Sequence, residues 1–126
     1  MKNPWIDGLD VLLNARFNSF CELGIKLRDK AYDDKMQKWD RKTVVGLILD
    51  ACNRARRDMI DIYIDISCYT EYDEDLHNDY VDNGWSMVEE QQGRLEDAKK
   101  LFNQQLRLFE ENLREETESC SESKEA

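Results

Sequence analysis

The sequence predicts an all-α protein, an elongated three-helix bundle running up-down-up and ending in an acidic C-terminal tail. Three observations carry this. Apolar residues recur at steps of three and four over three long stretches, the spacing of one helical face. The 126 residues include one Pro and five Gly, too few for a turn-rich β fold. Charged residues make up 37%, against about 25% in an average globular chain, which suits rods with solvated outer faces. The expected organisation is a helical domain over 1–116 and a disordered tail over 117–126.

The first helix starts at Asn3-Pro4. Asn is a strong N-cap, Pro suits the first helical position, and Asp7 sits in the first turn, where the helix dipole favours negative charge. Ile6, Leu9, Leu13, Phe17, Phe20, Leu23 and Leu27 mark its apolar face to about Lys30. Gly24 weakens it as a helix former but permits close approach of a neighbour. Residues 31–42 form a polar connector in which Met36 and Trp39 fit a short helical turn over the end of the core. Asp40 can cap the next helix.

Thr43 to Tyr69 is the central helix, with Val44, Ile48, Ala51, Ala55, Met59, Ile62 and Ile66 on one broad stripe. A competing reading exists at its end. Ile60, Ile62, Ile64 and Ile66 alternate with polar residues, which is strand periodicity. Helix is preferred, because Asp58, Asp61, Asp65 and Cys68 share one helical face and a lone strand would have nothing to pair with. Residues 70–84 hold six acids, two Asn and a Gly and read as a loop or irregular turn. Either connector has room for a fourth short helix. Trp85, Val88, Gln92, Leu95, Lys99, Phe102, Leu106, Phe109 and Leu113 then follow the 3-4 rhythm of a coiled-coil seam.

Net charge is −10 and unevenly spread. Residues 26–57 carry net +5, residues 58–126 carry net −14, and the first 25 are close to neutral. Direct binding to nucleic acid is not expected, since phosphate would meet a repulsive overall field. A basic protein partner fits better, including a nucleic-acid-binding one. No run approaches the roughly 18 apolar residues of a membrane span, so no membrane association is expected. Asp7 and Asp10 interrupt the first apolar stretch, which argues against a secretory signal. Cys21, Cys52, Cys68 and Cys120 form no CxxC pair; buried reduced thiols in a cytoplasmic protein are the expectation.

The candidate recognition surface is the acidic, aromatic stretch 69–85, with Tyr69, Glu71, Tyr72, Asp73, Glu74, Asp75, Asp79, Tyr80, Asp82 and Trp85 as partner-binding residues. Tyr and Trp give large contact area at low entropic cost, and carboxylates steer a basic partner. The bland alternative is a solvated connector. Catalytic, metal and cofactor readings find little to stand on. Asp73, Asp75 and His77 alternate like a calcium loop, but Asn78 and Gly84 occupy the positions where an EF-hand needs Gly and Glu. Asp58-x-x-Asp61 has no second acidic pair of the kind helical Mg-dependent pyrophosphohydrolases use, because Gln92 and Gly93 follow Glu89 and Glu90 at the third position. A single His77 supports neither a di-iron bundle nor a hydrolytic triad. The functional expectation is therefore a non-enzymatic acidic protein that binds a basic partner, as an inhibitor or nucleic-acid mimic of the phage or mobile-element type. A homo-oligomeric assembly subunit pairing through Leu95, Phe102, Leu106, Phe109 and Leu113 is the alternative. A Mg-dependent all-α nucleotide pyrophosphohydrolase is third.

Overall fold

The computed structural model describes residues 3–33 and 41–125, with side chains through 111. It contains three helices, α1 (Pro4–Ala31), α2 (Arg41–Tyr69) and α3 (Glu74–Glu125), and no strand among the described residues. Each helix packs against both others. Contacts at matched heights fix the directions. Trp5 meets Tyr69, Arg16 meets Asp58, Gly24 meets Phe102, and Tyr32 meets Phe109. Thus α1 and α3 run parallel, with α2 antiparallel between them in sequence. Expectations for Met36, Trp39 and Asp40 lie outside the described residues, as do those for the side chains of Leu113 and of the 117–126 tail.

The first helix begins as its residues require. The Asn3 side chain accepts the Trp5 backbone N–H at 3.0 Å, the N-cap bond, and Pro4 follows where its missing N–H costs nothing. Leu9, Leu13, Phe20 and Gly24 form its buried line. Leu23, expected on the apolar face, is 43% exposed. Gly24 takes that inward place because it leaves room for the Phe102 ring, which stands edge-on to Phe20 with centroids 6.1 Å apart.

The isoleucine-rich run is helical to Tyr69. Ile66 is buried, Ile60 and Ile62 are half-buried and Ile64 is exposed, so burial follows the 3.6-residue period and not the alternation of a strand. The turn into α3 takes only residues 70–73. Here the structure corrects the expected loop over 70–84. Asp73 is an N-cap whose Oδ1 accepts from the backbone N–H of Asp75 at 3.1 Å and of Leu76 at 3.3 Å. Glu74 and Asp75 in the first turn meet the positive end of the helix dipole. The acids that look like loop composition are a helix start.

Starting α3 earlier also shifts its inward line. Tyr80, Gly84, Val88, Gln91, Leu95, Phe102 and Leu106 are buried, whereas Trp85, expected to lead the seam, is 40% exposed. Two tyrosines lock α2 to α3. The Tyr80 hydroxyl donates to the Tyr63 carbonyl at 2.7 Å, and the Tyr63 hydroxyl donates to the Val81 carbonyl at 2.9 Å. The two rings stack with centroids 5.3 Å apart. Gly84 admits both the Tyr63 ring and Leu9 against its backbone; a Cβ there would meet them at 3.2 and 3.1 Å. Burial pushes both phenol pKa values up.

Four of the five residues expected to pair two copies are used by the chain's own bundle. Leu95, Phe102 and Leu106 lie in the core, and the half-buried Phe109 packs on Tyr32 at 4.3 Å between centroids. Leu95, Phe102 and Leu106 are not available to a second copy while the bundle is closed.

The packing at Gly24 yields a test whose sign is informative. Gly-to-Ala within a helix ordinarily stabilises by about 0.5–1 kcal/mol. A Cβ at residue 24 would lie 2.3–2.8 Å from the Phe102 ring, so Gly24→Ala should instead destabilise by about 1–3 kcal/mol. Gly46→Ala and Gly93→Ala, which meet nothing within 4 Å, should stabilise. Urea unfolding of the three variants reads all three signs.

Candidate functional site: an acidic pole with an aromatic end

Antiparallel folding of α2 and α3 places the acid-rich stretch 58–93 beside the first turns of α1. Arg16 Nε bonds Asp58 at 2.8 Å, Gln91 donates to Asn14 at 3.0 Å, and Arg94 lies over the Phe17 ring at 4.1 Å. Residues 16, 58 and 93–94 therefore share one level of the bundle. On one side of it, residues 3–15 and 58–93 carry thirteen Asp or Glu and no Lys or Arg. On the other, the described residues 16–33, 41–57 and 94–111 carry thirteen Lys or Arg and eight Asp or Glu. Over the described residues the charge is segregated along the axis, with an acidic pole that holds no Lys or Arg.

At the level of the boundary, charges are paired across helices. Arg56 reaches Glu96 at 2.7 Å and Lys99 reaches the same carboxylate at 2.8 Å. The Lys99 bond, with Arg56 assisting, holds the Glu96 carboxyl below its ordinary pKa. Farther along, Arg41 pairs with Glu110. In the pole, only Asp58 has a described ion-pair partner.

The expected partner-binding residues divide into three groups. Glu71, Glu74, Asp75 and Asp82 are exposed in the pole. Asp73 and Asp79 serve the fold. Asp73 caps α3, while Asp79 accepts from the Asn3 amide at 3.0 Å and from Asn83. The four aromatic residues do not share one surface. Tyr69 and Tyr72 are 65% and 72% exposed at the end of the bundle. Trp85 lies around on the α2–α3 side, edge-on to Tyr63 at 5.4 Å. Tyr80 is fully buried, which corrects its expected role as a surface anchor: its ring fills the core and its hydroxyl ties α3 to α2.

Trp5 is the residue that sequence reasoning missed. Its ring stacks on Tyr69 with centroids 5.8 Å apart and planes 7° apart, and its indole N–H donates to the Tyr72 hydroxyl at 3.3 Å. Asn3 holds it in place by bonding the Trp5 N–H and, through its amide, Asp79 and the Leu76 carbonyl at 3.1 Å. The three rings come from α1, α2 and the 70–73 turn. Nothing in the sequence around Trp5 points to a partner 64 residues away.

His77 has a local task. Thr70, fully buried, donates to the Ser67 carbonyl at 2.7 Å and lies 2.8 Å from His77 Nδ1. With the Thr70 proton on Ser67, Nδ1–H donates to Thr70. The histidine thereby closes the 70–73 turn. Among the described residues no three of His, Cys, Asp and Glu converge as metal ligands. Burial pushes the Cys21 and Cys52 thiols above their ordinary pKa, leaving weak nucleophiles. Cys68, expected to be buried, is exposed because its face of α2 points outward. No helix among the described residues is long and apolar enough to cross a membrane.

Like charges crowded at one end repel, so the pole opposes folding at low salt. Raising salt from about 0.02 to 0.3 M shortens the Debye length to below ~10 Å and should raise the urea midpoint; a falling midpoint would show that ion pairs outweigh the repulsion. Asn3→Ala removes the α1 cap and its bridge to α3, and should cost about 1–2 kcal/mol in the same assay.

No family model, curated protein or solved structure matches the chain.

Proposed function

We propose that this protein acts without catalysis, by docking its acidic pole into a basic cleft or face of a protein partner. The observation that carries the reading is the absence of any Lys or Arg from the described residues of the pole. Ordinary solubilising surfaces intermix the two signs. A single-sign surface pays a stability cost through self-repulsion, and what it gains is a field that steers and retains an opposite charge. Carboxylates on a rigid helical frame also suit the sites of nucleic-acid-binding proteins, where they stand in for phosphates. An inhibitor or nucleic-acid mimic of the phage or mobile-element type, working in the cytoplasm, fits this chemistry by analogy of class.

The charged contacts are assigned to Glu71, Glu74, Asp75 and Asp82, which are exposed and carry no fold-bearing bond among the described contacts. Asp73 and Asp79 are left out of the test because the fold uses them. The variant Glu71→Gln, Glu74→Gln, Asp75→Asn, Asp82→Asn should keep its helicity and lose a captured host partner, with association slowed by about 10-fold or more. The control variant Glu22→Gln, Asp29→Asn, Asp97→Asn, Glu111→Gln makes the same charge change in the other half and should retain the partner. Equal capture by wild type and both variants would contradict the proposal.

A further inference from the structure

The charge of the pole says that a cation is recognised; the rings at its tip say which one. We propose that Trp5, Tyr69 and Tyr72 form the energetic centre of the docking surface and receive an arginine side chain of the partner, its guanidinium lying on the open face of Tyr69. This rests on the reading of the pole as a docking surface and sharpens it from a basic partner to an arginine-presenting one.

Exposure is the first argument. Tyr72 and Tyr69 are among the most exposed large hydrophobic side chains of the described bundle, although aromatic rings are expensive to leave in water. They are also fixed. Trp5 covers one face of Tyr69 and leaves the other open, and its indole N–H holds the Tyr72 hydroxyl. The Asn3 bonds to Asp79 and Leu76 clamp that arrangement to α3. Binding to rings already in place loses little side-chain entropy.

A comparison within the molecule supplies the second argument. In the other half, Arg94 covers the Phe17 ring at 4.1 Å and Arg28 lies over Tyr32 at 6.0 Å. Half-buried rings there are served by the chain's own guanidinium groups. The described pole contains no Lys or Arg to do the same for Tyr69 and Tyr72. Asp65, one helical turn before Tyr69, and Glu71, next to Tyr72 in the chain, are both exposed at this end of the bundle. An exposed ring in a region of unpaired carboxylates attracts a cation both through its face and through the surrounding negative field. Guanidinium fits better than ammonium because it is planar, weakly hydrated and bonds a carboxylate while it stacks.

Calorimetric titration of the full chain with two short peptides, identical except that one carries Arg wherever the other carries Lys, tests this at about 0.15 M salt. The arginine peptide should bind about 10-fold more tightly. In Tyr69→Leu/Tyr72→Leu that preference should vanish while the weaker, salt-sensitive affinity for the lysine peptide remains. Equal binding of both peptides by the wild type, or an arginine preference that survives in the variant, overturns the arginine centre and leaves the acidic pole standing. Failure of the wild type to bind either peptide overturns both. A readout independent of the variant's folding is the Trp5 indole N–H resonance, assigned through Trp5→Phe. It should move with the arginine peptide, and a stationary resonance counts against the proposal.

Discussion

The register between α2 and α3 is the constraint on which the rest depends. Residues 70–73 reverse the chain in four positions, and the Tyr63–Tyr80 pair then fixes how the two helices slide against each other. Each hydroxyl donates to a carbonyl on or near the opposite ring's segment, so a shift of one residue would break both bonds and bury unpaired phenols. Gly84 extends the lock to α1 by letting Leu9 and the Tyr63 ring close against its backbone. Once this register is set, the stretch lacking basic residues folds back on itself at one end. Charge segregation along the sequence becomes charge segregation along the rod.

That arrangement sets stability against the concentration of one sign of charge. The N-termini of α1 and α3 both lie at the acidic end, where their dipoles offset part of the repulsion. Asp73 uses its charge as a cap, and Arg16 takes up Asp58 at the boundary. The remaining pole carboxylates have no described cation to meet. The core beneath them is correspondingly well tied, by Tyr80, Thr70 and the Asn3 clamp, each a buried polar group with its bonds made. Rigid support under a repulsive surface is what a docking site for cations needs.

Much of the fold was legible because local patterns carry it. The Asn3-Pro4 start, the 3-4 spacing of Leu9, Leu13 and Phe20, and the lack of any partner strand for the isoleucine run all lead to three helices. The start of α3 was misread because acids and Asn read as loop by composition, although Asp-Glu-Asp ahead of Leu76 and Tyr80 is also a capped helix start. The site was less legible. Nothing local distinguishes the buried Tyr80 from the exposed Tyr72, since that depends on which face α3 turns inward. The pairing of Trp5 with Tyr69 depends on helix register across the bundle, which no window of sequence contains. Charge totals by segment showed the asymmetry, but spread it over 58–126; the axial alignment shows that 58–93 joins 3–15 at one end, while the described acids after residue 93 share their levels with the bases of α1 and α2.

The central claim is that the fold concentrates one sign of charge at one end, and surface potential can be measured residue by residue without any partner. Amide proton relaxation in the presence of a cationic nitroxide, divided by that with a neutral nitroxide of the same shape, reports local cation enrichment. The account predicts ratios above one throughout residues 3–15 and 58–93, and at or below one over 41–57 and 94–111. A ratio uniform along the bundle, or highest in the second set, would contradict it.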